Sequence, residues 1–339
     1  METSKKITVA IVLLNWNGKE WLEKFLPFLT KYSNHHHIYI ADNNSSDKSI
    51  EFIKETYPSI KIILNKDNYG YAKGYNKALE KIDAKYFMLI NSDVEVTKDW
   101  INPMLTLMNS NNNIAACQPK ILDYNNRRFF EYAGASGGYI DILGYPFCRG
   151  RILEEIEEDK GQYDDVKDIF WATGACFILR KECFIAVDGF DEEFFAHQEE
   201  IDLCWRLKNM GYNIMVEPKS VVYHVGGGTL DYNSEFKTYL NFRNNLFMLF
   251  KNLPFIHLMF ILPIRLLLDG LAGLILLTKK NGLNNMFAII KAHISFYYSL
   301  PSLIKKRIKI KHLFFPKGMI RNSILYKNKI LKINKFSDI

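Results

Sequence analysis

At 339 residues the chain is long enough to bury a large core, on the order of one to three domains' worth. Hydrophobic residues make up 48% of it and aromatics 14%, which excludes an intrinsically disordered chain. The formal charge of +7 belongs to the tail: residues 301–339 hold eleven Lys or Arg against the single Asp338, while residues 1–300 carry 33 basic and 36 acidic side chains, so the basicity suits an anionic lipid surface or a nucleic acid at that end alone.

Residues 1–6 are polar, and the apolar run that follows, 7–14, is only a strand's length, so no secretory signal is expected. That run is nearly unbroken and β-branched, as a strand buried on both faces requires. It stops at Asn15-Trp16-Asn17-Gly18, a turn. Residues 19–31 then set Trp21, Leu22, Phe25, Leu26 and Leu29 at helical spacing. A second strand over 38–41 ends at Asp42-Asn43-Asn44-Ser45-Ser46-Asp47. A short helix (49–57), a strand (61–64) and a longer helix (71–82) lead into a strand over 86–90, which ends at Asn91-Ser92-Asp93. This βαβα order predicts a parallel, doubly wound sheet. A helix over 97–109 and a strand over 114–118 continue it.

The pattern then loosens. Residues 131–151 are rich in glycine and aromatics, and 154–168 are strongly acidic. A long irregular stretch inside a compact domain usually carries function. Order returns with a strand at 174–179 and a helix at 181–187. A second helix at 201–210 closes on Gly211, and strands follow at 212–216 and 220–224. The five cysteines (Cys117, Cys148, Cys176, Cys183, Cys204) form no Cys-x-x-Cys pair and read as reduced, buried thiols of a cytosolic compartment.

Residues 253–277 are long and apolar, but His257, Arg265 and Asp269 interrupt them, with Pro254 and Pro263. Mid-span charges are costly. The expectation is helices lying in or dipping into one leaflet, rather than a true span. The aromatic stretch 286–300 and Lys305-Lys306-Arg307-Ile308-Lys309 fit such an interfacial element. The division expected is a catalytic domain over 1–250 and a helical, membrane-associating region over 251–339.

In an open parallel sheet, ligands collect outside the carboxyl ends of the strands. Four strand ends are polar in the same way: Asn15–Gly18, Asp42–Asp47, the segment from Asn65 to Gly70, and Asn91–Asp93. Together they suggest a nucleotide-sized site. Glu199, Glu200 and Asp202 open a helix, where the dipole favours anions. His224 ends a strand and precedes Val225-Gly226-Gly227-Gly228-Thr229, whose glycines allow close approach of backbone to a phosphate or a substrate.

Asn15-Trp16-Asn17-Gly18, Asp42 to Asp47, Asn68-Tyr69-Gly70-Tyr71-Ala72-Lys73-Gly74-Tyr75-Asn76, Leu89-Ile90-Asn91-Ser92-Asp93, Glu199-Glu200-Ile201-Asp202-Leu203-Cys204-Trp205-Arg206 and Tyr223-His224 stand in that order along the chain. Together they resemble the family 2 glycosyltransferases, and within them the rhamnosyltransferase-like branch, over residues 5–250. The resemblance implies a GT-A fold, a Rossmann-like mostly parallel sheet flanked by helices. It also implies a nucleotide-sugar donor, a divalent cation (Mn²⁺ or Mg²⁺) and inversion at the anomeric carbon. Asp42 matches the acidic residue that reads the nucleobase. Asp93 matches the last position of the Asp-x-Asp-type motif that holds the metal on the diphosphate, with Asn91 at its first position. His224 matches a histidine that can complete the metal shell. Glu200 matches the general base, where the family more often has Asp after Glu, so Glu199 stays a candidate beside it. Asn15, Asn17, Asn43, Asn68, Lys73, Asn76, Asn91 and Ser92 fall on the donor side. Trp171, Thr173 and Asp202 are candidates for the acceptor side.

The function expected is therefore metal-assisted transfer of a sugar to a hydroxyl of a glycan or lipid-linked acceptor, in cell-surface polysaccharide biosynthesis. It would take place at the cytoplasmic face of the membrane, with no nucleic-acid partner. A non-catalytic nucleotide-sugar or glycan-binding protein on the same fold is the alternative. A nucleotidyltransferase would favour an early glycine-rich, basic phosphate loop, which Asn15–Gly18 does not supply.

Overall fold

The computed structural model describes residues 7–226, 234–279 and 281–339. The glycine loop expected at Gly227-Gly228-Thr229 lies outside the described residues. The first half alternates as the apolar runs dictate: β1 (Ile7–Asn15), α1 (Lys19–Tyr32), β2 (His37–Asp42), α2 (Ser49–Thr56), β3 (Lys61–Leu64), α3 (Gly70–Leu79), β4 (Ala84–Asn91), β5 (Val94–Val96), α4 (Asn102–Ser110) and β6 (Ile114–Asp123). Short strands follow: β7 (Gly138–Asp141), β8 (Pro146–Cys148), β9 (Arg151–Ile152), β10 (Glu155–Ile156) and β11 (Lys167–Ile169). Then come β12 (Cys176–Arg180), α5 (Lys181–Ala186), α6 (Glu199–Asn209), β13 (Asn213–His224), α7 (Glu235–Asn252), α8 (Phe255–Leu276), α9 (Gly282–Ile308), β14 (Met319–Ile320) and α10 (Ile324–Lys329).

The main sheet runs β11-β13-β6-β12-β4-β1-β2-β3, with β5 paired to β13. The β4-β1-β2-β3 side is parallel throughout. The doubly wound expectation holds there, because β1, β2 and β3 are each followed by a helix that carries the chain to the next parallel strand. It does not hold at β12, which enters antiparallel between β4 and β6. The long excursion through residues 124–175 brings the chain back to the sheet from the opposite end. Two buried clusters, one on each face, fill the space between sheet and helices. Val12, Tyr75, Phe87 and Leu89 sit on one side, and Ile11, Leu26, Met88 and Met104 on the other. Successive strand residues thus divide between the two faces.

Three local expectations give way. The helix expected over 97–109 is shorter: a strand, Val94–Val96, precedes it and pairs with β13, and the helix starts only at Asn102, ahead of Pro103. Proline suits a first helical turn, where its missing N–H would be unpaired anyway. The last two expected strands are one, β13, whose register with β6 shifts between Glu217 and Val221. The glycine-rich stretch is ordered as a second small sheet, β10-β9-β8-β7-β14.

That small sheet is pinned to the large one by Trp171. Its indole is buried, donates from Nε1 to the Tyr139 carbonyl at 2.8 Å, and lies flat on Gly138. A Cβ at Gly138 would come within 2.1 Å of the ring. The tail returns here too. Strand β14 pairs with β7, the Ile324 amide donates to Asp141 Oδ2 at 2.9 Å, and Phe336 packs against Tyr139, Phe147 and Tyr163. The five cysteines are free and buried.

Candidate active site

The strand register sets the site. Asn15 at the end of β1 faces Asp42 at the end of β2, and Leu14 faces Asn91 at the end of β4. Asp42 in turn faces Leu64 at the end of β3, so all four polar strand ends emerge side by side on one rim. They are laced together by their own side chains. Asn15, fully buried, donates from Nδ2 to Asp42 Oδ1 (2.9 Å), Ser45 Oγ (3.1 Å) and Ser49 Oγ (3.0 Å). Asp42 also accepts from the Ser45 amide at 2.8 Å and hydroxyl at 2.6 Å. Asn17 Oδ1 accepts from the Ser46 amide at 2.7 Å. Asn43 donates to the Gly70 carbonyl at 3.0 Å and accepts from Asn65 at 2.8 Å, while Asn68 Oδ1 accepts from the Gly70 amide at 3.0 Å. Asn91 and Ser92 remain half-buried at the centre of the rim.

Asn76 is different. Its amide is fully engaged with the Phe190 main chain, donating to the carbonyl (2.9 Å) and accepting from the amide (3.0 Å). That corrects the donor-contact expectation for Asn76, because neither end of the amide is left to face a ligand. It fastens α3 to the segment leading to α6. Lys73 lies 3.8 Å from Glu192 and over the Tyr69 ring.

Beyond β4, Asp93 and His224 meet because β5 pairs with β13, placing Val94 opposite His224. His224 Nε2 lies 3.2 Å from Asp93 Oδ1, and Nδ1 lies 3.3 Å from Glu131 Oε1. All three are buried. Burial works against a charge on the imidazole, but Asp93 and Glu131 outweigh it and raise its pKa well above the usual value. Burial likewise opposes ionisation of Asp93, yet His224 and the Gly226 amide hold its pKa below the ordinary carboxylate value. Glu131 escaped the sequence reading because it sits in the glycine-aromatic stretch with no motif around it. Among the described residues, no group of three or more His, Cys, Asp or Glu could by itself hold a metal ion. Magnesium is usually held by one or two carboxylates with phosphate oxygens and water, and Asp93 fits that requirement. His224 fits it only as the neutral imidazole.

Glu199 and Glu200 open α6. Helix α6 begins at Glu199, two residues before the expected start. Burial and then the neighbouring Glu200 charge raise the Glu199 pKa well above the ordinary value. Burial lifts Glu200 to about 7, against amide donors at Glu200, Gly174, Ile201 and Gln198 that favour its ionised form. One oxygen of each, Oε2, is enclosed with no hydrogen-bond partner among the described residues. Gly174 ties this carboxylate to the rim: its neighbour Ala175 accepts from the Asn91 amide at 2.9 Å, and its own carbonyl accepts from Tyr71 Oη at 2.8 Å. Glu200 and the end of β4 are thus adjacent in space, though they are far apart in sequence.

The acceptor-side expectations are corrected. Trp171 is the pin described above and presents no face for stacking. Thr173 is buried, its hydroxyl accepting from the Ala175 amide (3.2 Å) and its own amide bonded to Gln118 (3.0 Å). Asp202 is wholly buried and saturated by Arg206 Nε (2.8 Å), Lys251 Nζ (2.9 Å) and Asn252 Nδ2 (2.9 Å). Each was drawn into the list by its neighbours in sequence, while its side chain turns into the core.

The sequence profile of glycosyl transferase family 2 matches residues 10–187. A "low-salt glycan biosynthesis hexosyltransferase Agl10" of Haloferax volcanii is 22% identical, over 70% of this chain and 73% of that protein. The N-acetylglucosaminyl-diphospho-decaprenol L-rhamnosyltransferase of Mycobacterium tuberculosis is 24% identical, over 63% of this chain and 75% of its own length. Among solved structures, a mannosyltransferase of Pyrobaculum calidifontis in complex with GDP-Man and Mn²⁺ superposes with a TM-score of 0.52 at 12% identity, covering 87% of this chain and 88% of the other. A GalNAc-T7 structure with UDP, GalNAc and Mn²⁺ gives 0.57 at 15% identity over 74% of this chain, which spans about half (48%) of that one. These likenesses carry the fold. With the matched profile and the rim, they make the sheet a GT-A fold and the chain a glycosyltransferase, a member of glycosyl transferase family 2.

Proposed function

We propose that this glycosyltransferase moves a hexosyl or deoxyhexosyl unit from a nucleoside diphosphate to a hydroxyl of a lipid-linked glycan, with inversion and with Glu200 as general base. The observation that carries this reading is the enclosed Glu200 carboxylate, with one unpartnered oxygen, beside the β4 end that presents Asp93. A base poised near the working pH abstracts a proton most effectively. Glu200 takes the acceptor hydroxyl proton as the oxygen attacks the anomeric carbon. Asp93, with His224 as neutral imidazole, would hold a divalent cation, which when bound supplies Lewis-acid stabilisation of the departing diphosphate. Asp42, Asn15 and the asparagine lacing set the shape of the nucleotide rim. The names of the relatives, a decaprenol-linked rhamnosyltransferase and a dTDP-rhamnosyl transferase of Shigella flexneri, support a deoxysugar donor and a lipid diphosphate acceptor.

The test is release of nucleoside diphosphate from UDP-, dTDP- and GDP-sugars, with Mn²⁺ or Mg²⁺ and a polyprenyl-diphosphate acceptor, across a pH series. Because Glu200 has a raised pKa and must be ionised to act, kcat/KM should rise with pH through about 7. A rate flat from pH 5 to 9 would remove Glu200 from the role.

The C-terminal hairpin of α8 and α9 supports a monotopic seat on the membrane. Helix α8 has a mean hydropathy of 2.0, with 28% of its apolar window buried. Phe255, Phe260, Leu267 and Leu274 of α8 and Phe287 and Tyr298 of α9 are exposed. The charges that interrupt α8 face inward: Arg265 pairs with Asp269 at 2.9 Å and stacks over Tyr145. The outer face is therefore free of them. Leu267→Glu with Leu271→Glu removes two apolar side chains worth about 1.5–3 kcal/mol each when buried. Binding to vesicles containing phosphatidylglycerol should fall at least about tenfold. Unchanged co-sedimentation would show that this face does not meet lipid.

A further inference from the structure

The segment that delivers Glu199 and Glu200 is bent into an unusual path. Phe195 (φ 63°), His197 (φ 69°) and Gln198 (φ 69°) all occupy the left-handed region, although none is glycine. Such conformations persist where the surroundings over-determine them, and they concentrate at active sites. Within the segment the Ala196 amide donates to the Phe194 carbonyl at 2.8 Å, and most of the remaining support comes from α7. Asn244 is fully buried, and its Nδ2 lies 3.0, 2.8 and 2.7 Å from the carbonyl oxygens of Phe194, Ala196 and His197, so its two hydrogens are shared among three acceptors. Arg243 donates from Nη2 to the carbonyls of Glu193 (2.8 Å) and Phe194 (3.0 Å). Its Nε donates to Asn244 Oδ1 at 2.9 Å, which fixes which way the amide points. Nη1 reaches Tyr239 Oη at 3.2 Å, and that hydroxyl meets Ser295 of α9 at 3.1 Å.

The remaining carbonyl of the run, that of Phe195, turns the other way. It accepts from the amides of Tyr71 (2.7 Å) and Ala72 (3.2 Å) at the start of α3. Gly70 is needed for this contact: it has φ +69°, and a Cβ there would lie 2.5 Å from the Phe195 oxygen. The carbonyls of residues 193–197 are thus all held, four from α7 and one from the donor-side helix.

We propose that Arg243 and Asn244 are positioning residues of the transfer reaction. They hold the strained 193–198 segment so that α6 begins where Glu200 meets Gly174 at the rim, and they do not touch substrate. This rests on the reading of Glu200 as base. Asn244 also accounts for why α7, packed along α9, lies behind the active site: the hairpin proposed to sit on the membrane and the base share one support.

The test uses the full chain, with Asn244→Ala, Asn244→Gln and Arg243→Lys. In hydrogen exchange without any donor, Asn244→Ala should speed exchange of amides 194–203 at least about tenfold, with β1 and β2 unchanged. In the transfer assay its kcat should fall about 100-fold, as small misplacements of a reacting group do, with the donor KM within about twofold. Arg243→Lys, which keeps one donor and loses the fork, should fall between it and wild type. If Asn244→Ala does not fold, Asn244→Gln, which keeps the amide one methylene out of place, should show the same local exchange and the same kcat effect in smaller measure. Unchanged exchange at 194–203, a uniform loss of protection across the sheet, or an unaltered kcat overturns the proposal. A chain that turned over no nucleotide sugar would instead sink the proposed function, and the exchange result would still decide the clamp.

Discussion

Glu200→Gln should lower kcat by about 10²–10⁴-fold, the range general base catalysis contributes, or roughly 3–5 kcal/mol of barrier. The substitution is nearly isosteric. It keeps a side-chain oxygen that can accept the Gly174 and Gln198 amides, so the start of α6 should hold its shape. What it removes is the capacity to take a proton. Glu199 should not replace it fully, because burial, the larger cause of its raised pKa, persists in the variant. In the variant the adjacent charge is gone, and the pKa of Glu199 should fall. Any residual rate should therefore keep a pH dependence, with a midpoint that differs from wild type. Glu199→Gln, by contrast, should cost less, since it leaves the proposed base in place. A Glu199→Gln effect larger than that of Glu200→Gln would reverse the assignment.

The second large effect is on stability. Lys251 is buried and bridges Asp191 (2.5 Å) and Asp202 (2.9 Å), while Lys306 closes the other side of Asp191 at 2.5 Å. Burial opposes ionisation of both carboxyls, but Lys251 and Lys306 at Asp191, and Lys251 and Arg206 at Asp202, reverse the balance and depress both pKa values. Lys251→Met removes the shared counter-charge and leaves Asp191 facing Asp202 in a water-poor site. Breaking a buried pair this way costs about 3–5 kcal/mol. The drop should appear as a lower urea midpoint with an unchanged slope. Both carboxylates titrate below their unfolded values. The stability they supply is therefore complete above the ordinary Asp pKa and is lost as the pH falls through the depressed folded values. The wild type should lose stability on acidification over that window, and Lys251→Met should lose less. An exposed pair such as Lys77 and Glu80, 43% and 64% exposed, is the control, and its removal should cost under about 1 kcal/mol.

The donor half of the site was legible in the sequence because each strand there is buried on both faces. A continuous apolar run that stops abruptly at Asn15, Asp42 or Asn91 marks both the strand and its carboxyl end, and parallel pairing brings those ends together. The antiparallel entry of β12 was not legible, since Cys176–Arg180 has the same apolar character whichever way it runs. Nor was the small sheet, whose two- and three-residue strands are too short to show a period. The acceptor-side candidates failed for a related reason. Trp171, Thr173 and Asp202 stand next to functional segments in sequence, but sequence does not say which way a side chain turns, and all three turn inward. Glu131 and Asn244 were missed because each acts by contact with a residue far away along the chain. Asp42, by contrast, was legible in place, though its engagement with Asn15 and Ser45 was not.

The central claim is that Glu200 performs chemistry at a site that binds a nucleotide sugar without it. The most direct measurement is paired binding and turnover with the same nucleotide sugar, in the presence of Mn²⁺ or Mg²⁺, for the wild type and Glu200→Gln. Both proteins should gain thermal stability from the donor to a similar extent, since ligand that binds the folded state stabilises it by mass action. Only the wild type should then release nucleoside diphosphate at an appreciable rate when acceptor is added. A Glu200→Gln protein that transferred sugar as fast as the wild type, or a wild type that no UDP-, dTDP- or GDP-sugar stabilised, would contradict it.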